Sequence, residues 1–216
     1  TIDGGANWSH FTNNMPSVAV HFMDINKKTN SLVMATHGRG VIILDDITPL
    51  RQINQEVLAK DVHFFDLKPA IIEEQSSFGT TATELEFVGR NPSTSAQIIY
   101  YLKKRHTLGK MDIEIQDEKG NKIISLAPGK QKGINVVNWD YNMKNPKIAA
   151  AKTLSFAGFT APRVQEGTYK VVLTKGKETY THNLKVLNDP KSSISVSDRL
   201  KQKETTRELF NKNEEL

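Results

Sequence analysis

Met111, Ile113 and Ile115 alternate with Asp112, Glu114 and Gln116, a two-residue period that puts apolar side chains on one face of a strand. Asp117-Glu118-Lys119-Gly120-Asn121 follows as a hairpin turn, and Lys122 to Ala127 returns across it. Gln97 to Leu102, Ile134 to Tyr141, Gly167 to Leu173 and Thr179 to Leu187 also read as strands, the last two joined through Lys175-Gly176-Lys177. Short strands with turns at this spacing predict an Ig-like β-sandwich over residues 94–188. A long insertion between Asn142 and Val164 interrupts it, with Ala149-Ala150-Ala151 and the apolar patch Phe156-Ala157-Gly158-Phe159.

Residues 1–60 show a second β pattern. Strands are predicted from Val18 to Ile25, from Ser31 to Thr36 and from Val41 to Leu44, with turns at Asn26–Asn30 and His37-Gly38-Arg39-Gly40. The unbroken apolar run Val41-Ile42-Ile43-Leu44 predicts burial on both faces. Thr48 as N-cap and Pro49 at the first helical position predict a helix from Leu50 to Leu58. Residues 61–93 read as a connector, with a short strand at Val62-His63-Phe64-Phe65 and a loop from Ser76 to Thr81. Residues 189–216 read as a linker and a helix capped by Ser195-x-x-Asp198 or by Ser197. That helix has only Leu200, Leu209 and Phe210 as large apolar residues, so it is expected to continue past residue 216 and to need a partner surface. The predicted fold class is therefore mostly β: a terminal sheet, a sandwich and a C-terminal helix.

Composition narrows the classes. The chain has 216 residues, 38% hydrophobic and 25% charged, in the range of a soluble globular protein of one or two domains. No apolar run approaches the roughly 18 residues of a membrane span. The absence of cysteine excludes disulfides and thiolate metal sites. A net charge of +5 is mild, and its densest run, Lys103-Lys104-Arg105-His106, directly follows an apolar strand and reads as a solvated strand end, with contact to an anionic partner as the alternative. No aromatic platform accompanies it, so no nucleic-acid partner is expected.

The first eight residues, Thr1-Ile2-Asp3-Gly4-Gly5-Ala6-Asn7-Trp8, fit the pattern Ser/Thr-x-Asp-x-Gly-x-x-Trp at every defined position. A carboxylate two residues into such a turn accepts backbone N–H groups and holds the loop closed, while Gly5 takes a backbone geometry a Cβ disfavours. Trp8 is expected to start the outgoing strand and bury its ring against the sheet. This octapeptide, followed by Thr36-His37-Gly38-Arg39-Gly40-Val41-Ile42-Ile43-Leu44-Asp45-Asp46, resembles the end of the sortilin-type BNR/Asp-box β-propellers of large bacterial exported proteins, often labelled glycosyl-hydrolase-like. The stretches Ile113-x-Ile115-x-Asp117-x-x-Gly120, Gly133 to Asp140 and Gly167-Thr168-Tyr169 resemble the Ig-like module of flagellar hook-capping proteins. The resemblance implies a terminal propeller blade over residues 1–60, an accessory Ig-like module after it, and export to the periplasm, cell surface or medium. It implies the rest of a parent propeller as partner, with glycan or protein as ligand. It also implies that the chain is the tail of a longer protein, begun inside a repeat.

Candidate chemistry is sparse. Thr1, Asp3, Gly5 and Trp8 read as structural, because such boxes sit on propeller rims. His37 and Arg39 read as a structural turn at the top of a blade, with the binding of an anionic or sugar ligand at a propeller mouth as the alternative. Asp45-Asp46 is a carboxylate pair, but neighbours on a strand end point apart and read as the lead into a helix cap. The six histidines form no His-x-His or His-x-x-x-His pair, so no metal site is assigned. No phosphate loop or nucleophile motif is present, and no catalytic residue and no cofactor are assigned. Trp139 and Tyr169 read as sandwich core. Three functions remain open: a non-catalytic region that closes a propeller and carries an Ig-like module, part of a polysaccharide-cleaving glycoside hydrolase, or a carbohydrate- or protein-binding module.

Overall fold

The computed structural model describes residues 1, 3–12, 14–73, 93–146 and 161–215. The expected loop at Ser76–Thr81, the alanine run at 149–151 and the Phe156–Phe159 patch lie outside the described residues. In chain order the elements are β1 (Val20–Asn26), β2 (Ser31–Thr36), β3 (Val41–Leu44), α1 (Thr48–Gln52), α2 (Gln55–Ala59), β4 (Val62–Phe64) and β5 (Ala70–Ile72). There follow β6 (Ala96–Leu102), β7 (Met111–Gln116), β8 (Lys122–Leu126), β9 (Gly133–Trp139), β10 (Gly167–Lys175), β11 (Glu178–Asn188) and α3 (Val196–Glu215). The protein is mostly β with a C-terminal helix. Its strands form sheets ordered β1-β2-β3, β5-β11-β10-β7-β8 and β4-β6-β9. One compact unit comprises Thr1–Leu67, Ile99–Arg105 and Gln131–Asn135; the other comprises Lys68–Ile98, His106–Lys130 and Val136–Leu216.

In the first unit, β1, β2 and β3 form an antiparallel meander. Met23 pairs with Met34, Val33 with Ile43 and Ala35 with Val41. This register puts Met23, Ile25, Leu32, Met34, Ile42 and Leu44 on one face and Phe22, Asp24, Val33, Ala35, Val41 and Ile43 on the other. The first face is partly covered, with Met34 buried, Leu32, Ile42 and Leu44 half-buried and Met23 exposed; on the second, Val41 and Ile43 are 63% and 58% exposed. The expected burial of β3 on both faces is therefore corrected: β3 is an edge strand and only its Ile42 and Leu44 side is covered.

The expected helix from Leu50 to Leu58 is two short ones. The N-cap position falls on Ile47, not Thr48, and Thr48 is already helical. The reason lies one residue upstream. Asp46 Oδ1 accepts the Thr48 backbone N–H at 3.0 Å and the Thr48 hydroxyl, and the oxygen of that hydroxyl accepts the Asn30 amide at 2.7 Å in place of a helix N–H. The second break comes at Asn54, whose side chain accepts the Val57 N–H at 2.9 Å and caps a new helix. Val57, Phe65, Ile99 and Tyr101 form the buried cluster of this unit, with Ile53, Leu58 and Leu67 against it.

In the second unit, β10 is the spine of the five-stranded sheet. It pairs antiparallel with β11 through Tyr169↔Leu184 and with β7 through Val171↔Ile115 and Leu173↔Ile113. The period-two pattern is obeyed: Ile113, Ile115, Val171 and Leu173 are completely buried, while their alternating neighbours face outward. β5 adds to β11 in parallel, through Val186↔Ala70 and Asn188↔Ile72. Trp139 and Tyr169 meet edge to face at 5.2 Å between centroids, and Trp139 and Tyr141 lie 5.9 Å apart. Each such ring contributes on the order of 2–3 kcal/mol through burial alone. Their polar atoms are also satisfied: Trp139 Nε1 donates to the Asn142 carbonyl at 2.9 Å and the Tyr141 hydroxyl to the Ile71 carbonyl at 3.0 Å. α3 begins as expected from Ser195, whose Oγ accepts the Asp198 N–H at 3.1 Å and donates to the Asp198 carboxylate at 2.6 Å.

Candidate functional site

Thr1, Asp3, Gly5 and Trp8 form one closed turn. Asp3 Oδ1 accepts the Asn7 backbone N–H at 3.0 Å, and Asp3 Oδ2 accepts the Asn7 side-chain amide at 2.7 Å. The Thr1 hydroxyl donates to Asp3 at 2.8 Å and accepts the Gly5 N–H at 2.8 Å. Gly5 has φ +99°, in the left-handed region that favours glycine. The Asn7 side chain, its N–H and the Thr1 hydroxyl hold the Asp3 carboxyl at about 2, against an ordinary 3.8. Trp8 departs from expectation. It starts no strand, its ring is 78% exposed, and its Nε1 bends back to donate to the Gly5 carbonyl at 3.0 Å. The described residues 8–12 and 14–19 are not strand.

His37 and Arg39 lie in an exposed turn. The Thr36 N–H and hydroxyl both donate to the Gly40 carbonyl, at 3.0 and 2.7 Å, with Gly38 and Gly40 at φ +79° and +68°. His37 stacks on His21 of β1 with centroids 5.2 Å apart and planes 16° off parallel. Among the described residues no hydrogen bond, ion pair or ring contact joins this turn to the Asp3 turn. Asp45 is exposed while Asp46 turns into the Asn30–Thr48 network, so the two carboxylates do not converge.

A groove of about 510 Å³ in the same unit runs between His10–Val20 and the covered face of the meander, where Leu32, Met34 and Leu44 form its apolar wall.

The densest set of charged groups lies in the second unit, where sequence reasoning placed no site. A cleft of about 330 Å³ is lined by the β7–β8 turn, the segment from Arg163 to Tyr169, and α3. Arg207 of α3 pairs with Asp117 at 3.1 Å, and Arg199 pairs with Glu166 at 2.9 Å. Lys203 lies between them on the helix. Asp117 is also the hub of its own turn, accepting the Asn121 N–H at 2.8 Å, the Asn121 amide at 3.0 Å and the Lys119 N–H at 2.9 Å. Burial alone would raise its carboxyl; these bonds and the Arg207 guanidinium outweigh that and hold it below the usual range.

Tyr169 forms part of the lining. Its hydroxyl donates to the Gln165 carbonyl at 2.7 Å, and burial, reinforced by the nearby acidic groups, pushes it up to about 12. It is thus a neutral hydroxyl at physiological pH. The described lining contains no histidine, and two of its acids, Asp117 and Glu166, accept from arginines, an arrangement suited to electrostatic contact. One signal for this cleft was in the sequence: Arg199, Lys203 and Arg207 recur every four residues and so share a helix face. No protein-family model, characterised protein or solved structure matches this chain.

Proposed function

We propose that this chain is a non-catalytic region of a larger exported bacterial Asp-box propeller protein, with residues 1–60 as a closing blade and the later strands as an accessory Ig-like module. The observation that carries the reading is the open apolar face of the β1–β3 meander. Phe22, Ala35 and Val41 align across three strands, Asp24, Val33 and Ile43 form the next row with Asp24 on the outer strand, and Phe22 is 68% exposed. β2 carries no polar side chain from Leu32 to Ala35, a pattern that suits a sheet covered on both sides. The occupant of the open face is a neighbouring blade of the same protein, and the closed Asp3 turn that precedes β1 in the chain supports that assignment.

The gene upstream provides the test. Further Ser/Thr-x-Asp-x-Gly-x-x-Trp octapeptides at blade spacing are expected there; an upstream region without β repeats would refute the reading. The purified chain is also expected to leave polysaccharides intact. Turnover that disappears in Asp46→Asn would instead make this region part of a glycoside hydrolase.

A further inference from the structure

Charge, rather than apolar surface, holds α3 in the second unit. We propose that α3 is an electrostatically latched strap over the cleft at Asp117 and Tyr169, which releases as ionic strength rises while the sheet beneath stays folded.

The face that α3 turns inward carries Arg199, Lys203, Arg207, Phe210 and Glu214, spaced at three or four residues as one side of a helix requires. Four of these five are charged. Arg199 binds Glu166, Arg207 binds Asp117, and Glu214 binds Lys144. Lys144 also stands over the Phe210 ring, 5.7 Å from its centroid. Phe210 is the one buried residue of the helix among those described; Leu200 and Leu209 are 54% and 58% exposed. A docking surface with one apolar anchor and three ion pairs draws an unusual share of its affinity from Coulomb attraction. Salt weakens that share, since the screening length shrinks from about 10 Å at 0.1 M to about 3 Å at 1 M.

A second observation points the same way. Glu166 Oε1 is paired with Arg199, but Oε2 is buried with no hydrogen-bond partner among the described residues. With α3 docked on its other oxygen, this carboxylate keeps one oxygen dehydrated, a cost that the Arg199 pair has to offset. By contrast the sheet beneath is held by Ile113, Ile115, Val171 and Leu173, all fully buried and indifferent to salt. Once released, a helix this polar has little reason to stay folded on its own. Release also uncovers Tyr169, Val164 and Ile123 in the cleft wall.

Amide hydrogen exchange on the full chain tests this. Between about 0.05 and 1 M NaCl, protection of the Leu200–Lys212 amides is expected to fall at least about tenfold, while β7 and β10 amides hold. In the double variant Arg199→Gln/Arg207→Gln the α3 amides should exchange fast at low salt and lose most of their salt dependence. Protection of α3 that is flat with salt would overturn the proposal, as would parallel loss in β10. A double variant with wild-type protection and salt slope would show that the Arg199 and Arg207 pairs do not hold the helix, and would overturn it equally.

Discussion

Asp3–Asn7 and Asp117–Asn121 carry the same five-residue device. In each, the aspartate Oδ1 accepts the backbone N–H of the asparagine four residues on, and Oδ2 accepts that asparagine's side-chain amide. Both turns contain a glycine at positive φ, Gly5 at +99° and Gly120 at +82°. Their surroundings differ. The Asp3 turn is exposed and ends in a tryptophan that folds back on its own loop. The Asp117 turn joins two paired strands, receives Arg207 from α3 and forms part of the cleft that Tyr169 lines. A turn motif thus closes itself wherever it occurs, but it anchors something only where partners from distant sequence are delivered to it.

The largest expected effect that separates the two is Asp117→Ala. It removes the turn clamp and the Arg207 contact together, and about 2 kcal/mol of stability should go with it, given roughly 0.5–1.5 kcal/mol per hydrogen bond and more to a charged group. Chemical denaturation measures this. Asp3→Ala should leave the global unfolding midpoint unmoved, and equal losses in the two variants would erase the distinction.

Tyr169→Phe sharpens the comparison on the Asp117 side. Losing the bond to Gln165 should cost about 1 kcal/mol. The wild-type hydroxyl is raised to about 12 from 10.0, so its contribution is present below pH 10 and is lost as pH climbs from 10 towards 12. Denaturation midpoints across that range should fall more steeply for wild type than for Tyr169→Phe.

The smallest effect is on the Asp3 side. Its carboxyl is lowered to about 2 from 3.8, so whatever the clamp contributes is present above pH 4 and fades as pH falls towards 2. The Asn7 side-chain amide resonances should follow that titration by NMR. Asn7→Ala should move the midpoint back towards 3.8, and a midpoint already near 3.8 in wild type would mean that the clamp is not closed in solution.

Much of the strand pattern was legible in the chain, because period two is a local code. Met111–Gln116 fell as predicted, and so did the turn at Asp117, the hairpin through Lys175-Gly176-Lys177 and the cap at Ser195. Trp139 and Tyr169 are in the core as expected. Each of these outcomes depends on residues within a few positions of one another, where side-chain alternation, glycine geometry and short-range hydrogen bonds decide.

The remainder depended on tertiary structure. Nothing near Val41-Ile42-Ile43-Leu44 says that β3 lies at an edge, since a buried and an exposed apolar face look alike in sequence. The parallel addition of β5 to β11 joins residues more than a hundred positions apart. The cleft needed Asp117, Glu166 and α3 in one place, and helix periodicity alone named only the Arg199–Lys203–Arg207 stripe. The sequence by itself determined most of the strands and their turns, and which face of each is apolar, though not the short β5. The tertiary structure decided which apolar faces are covered and which charges find partners, because burial and ion pairing are properties of what distant segments bring together.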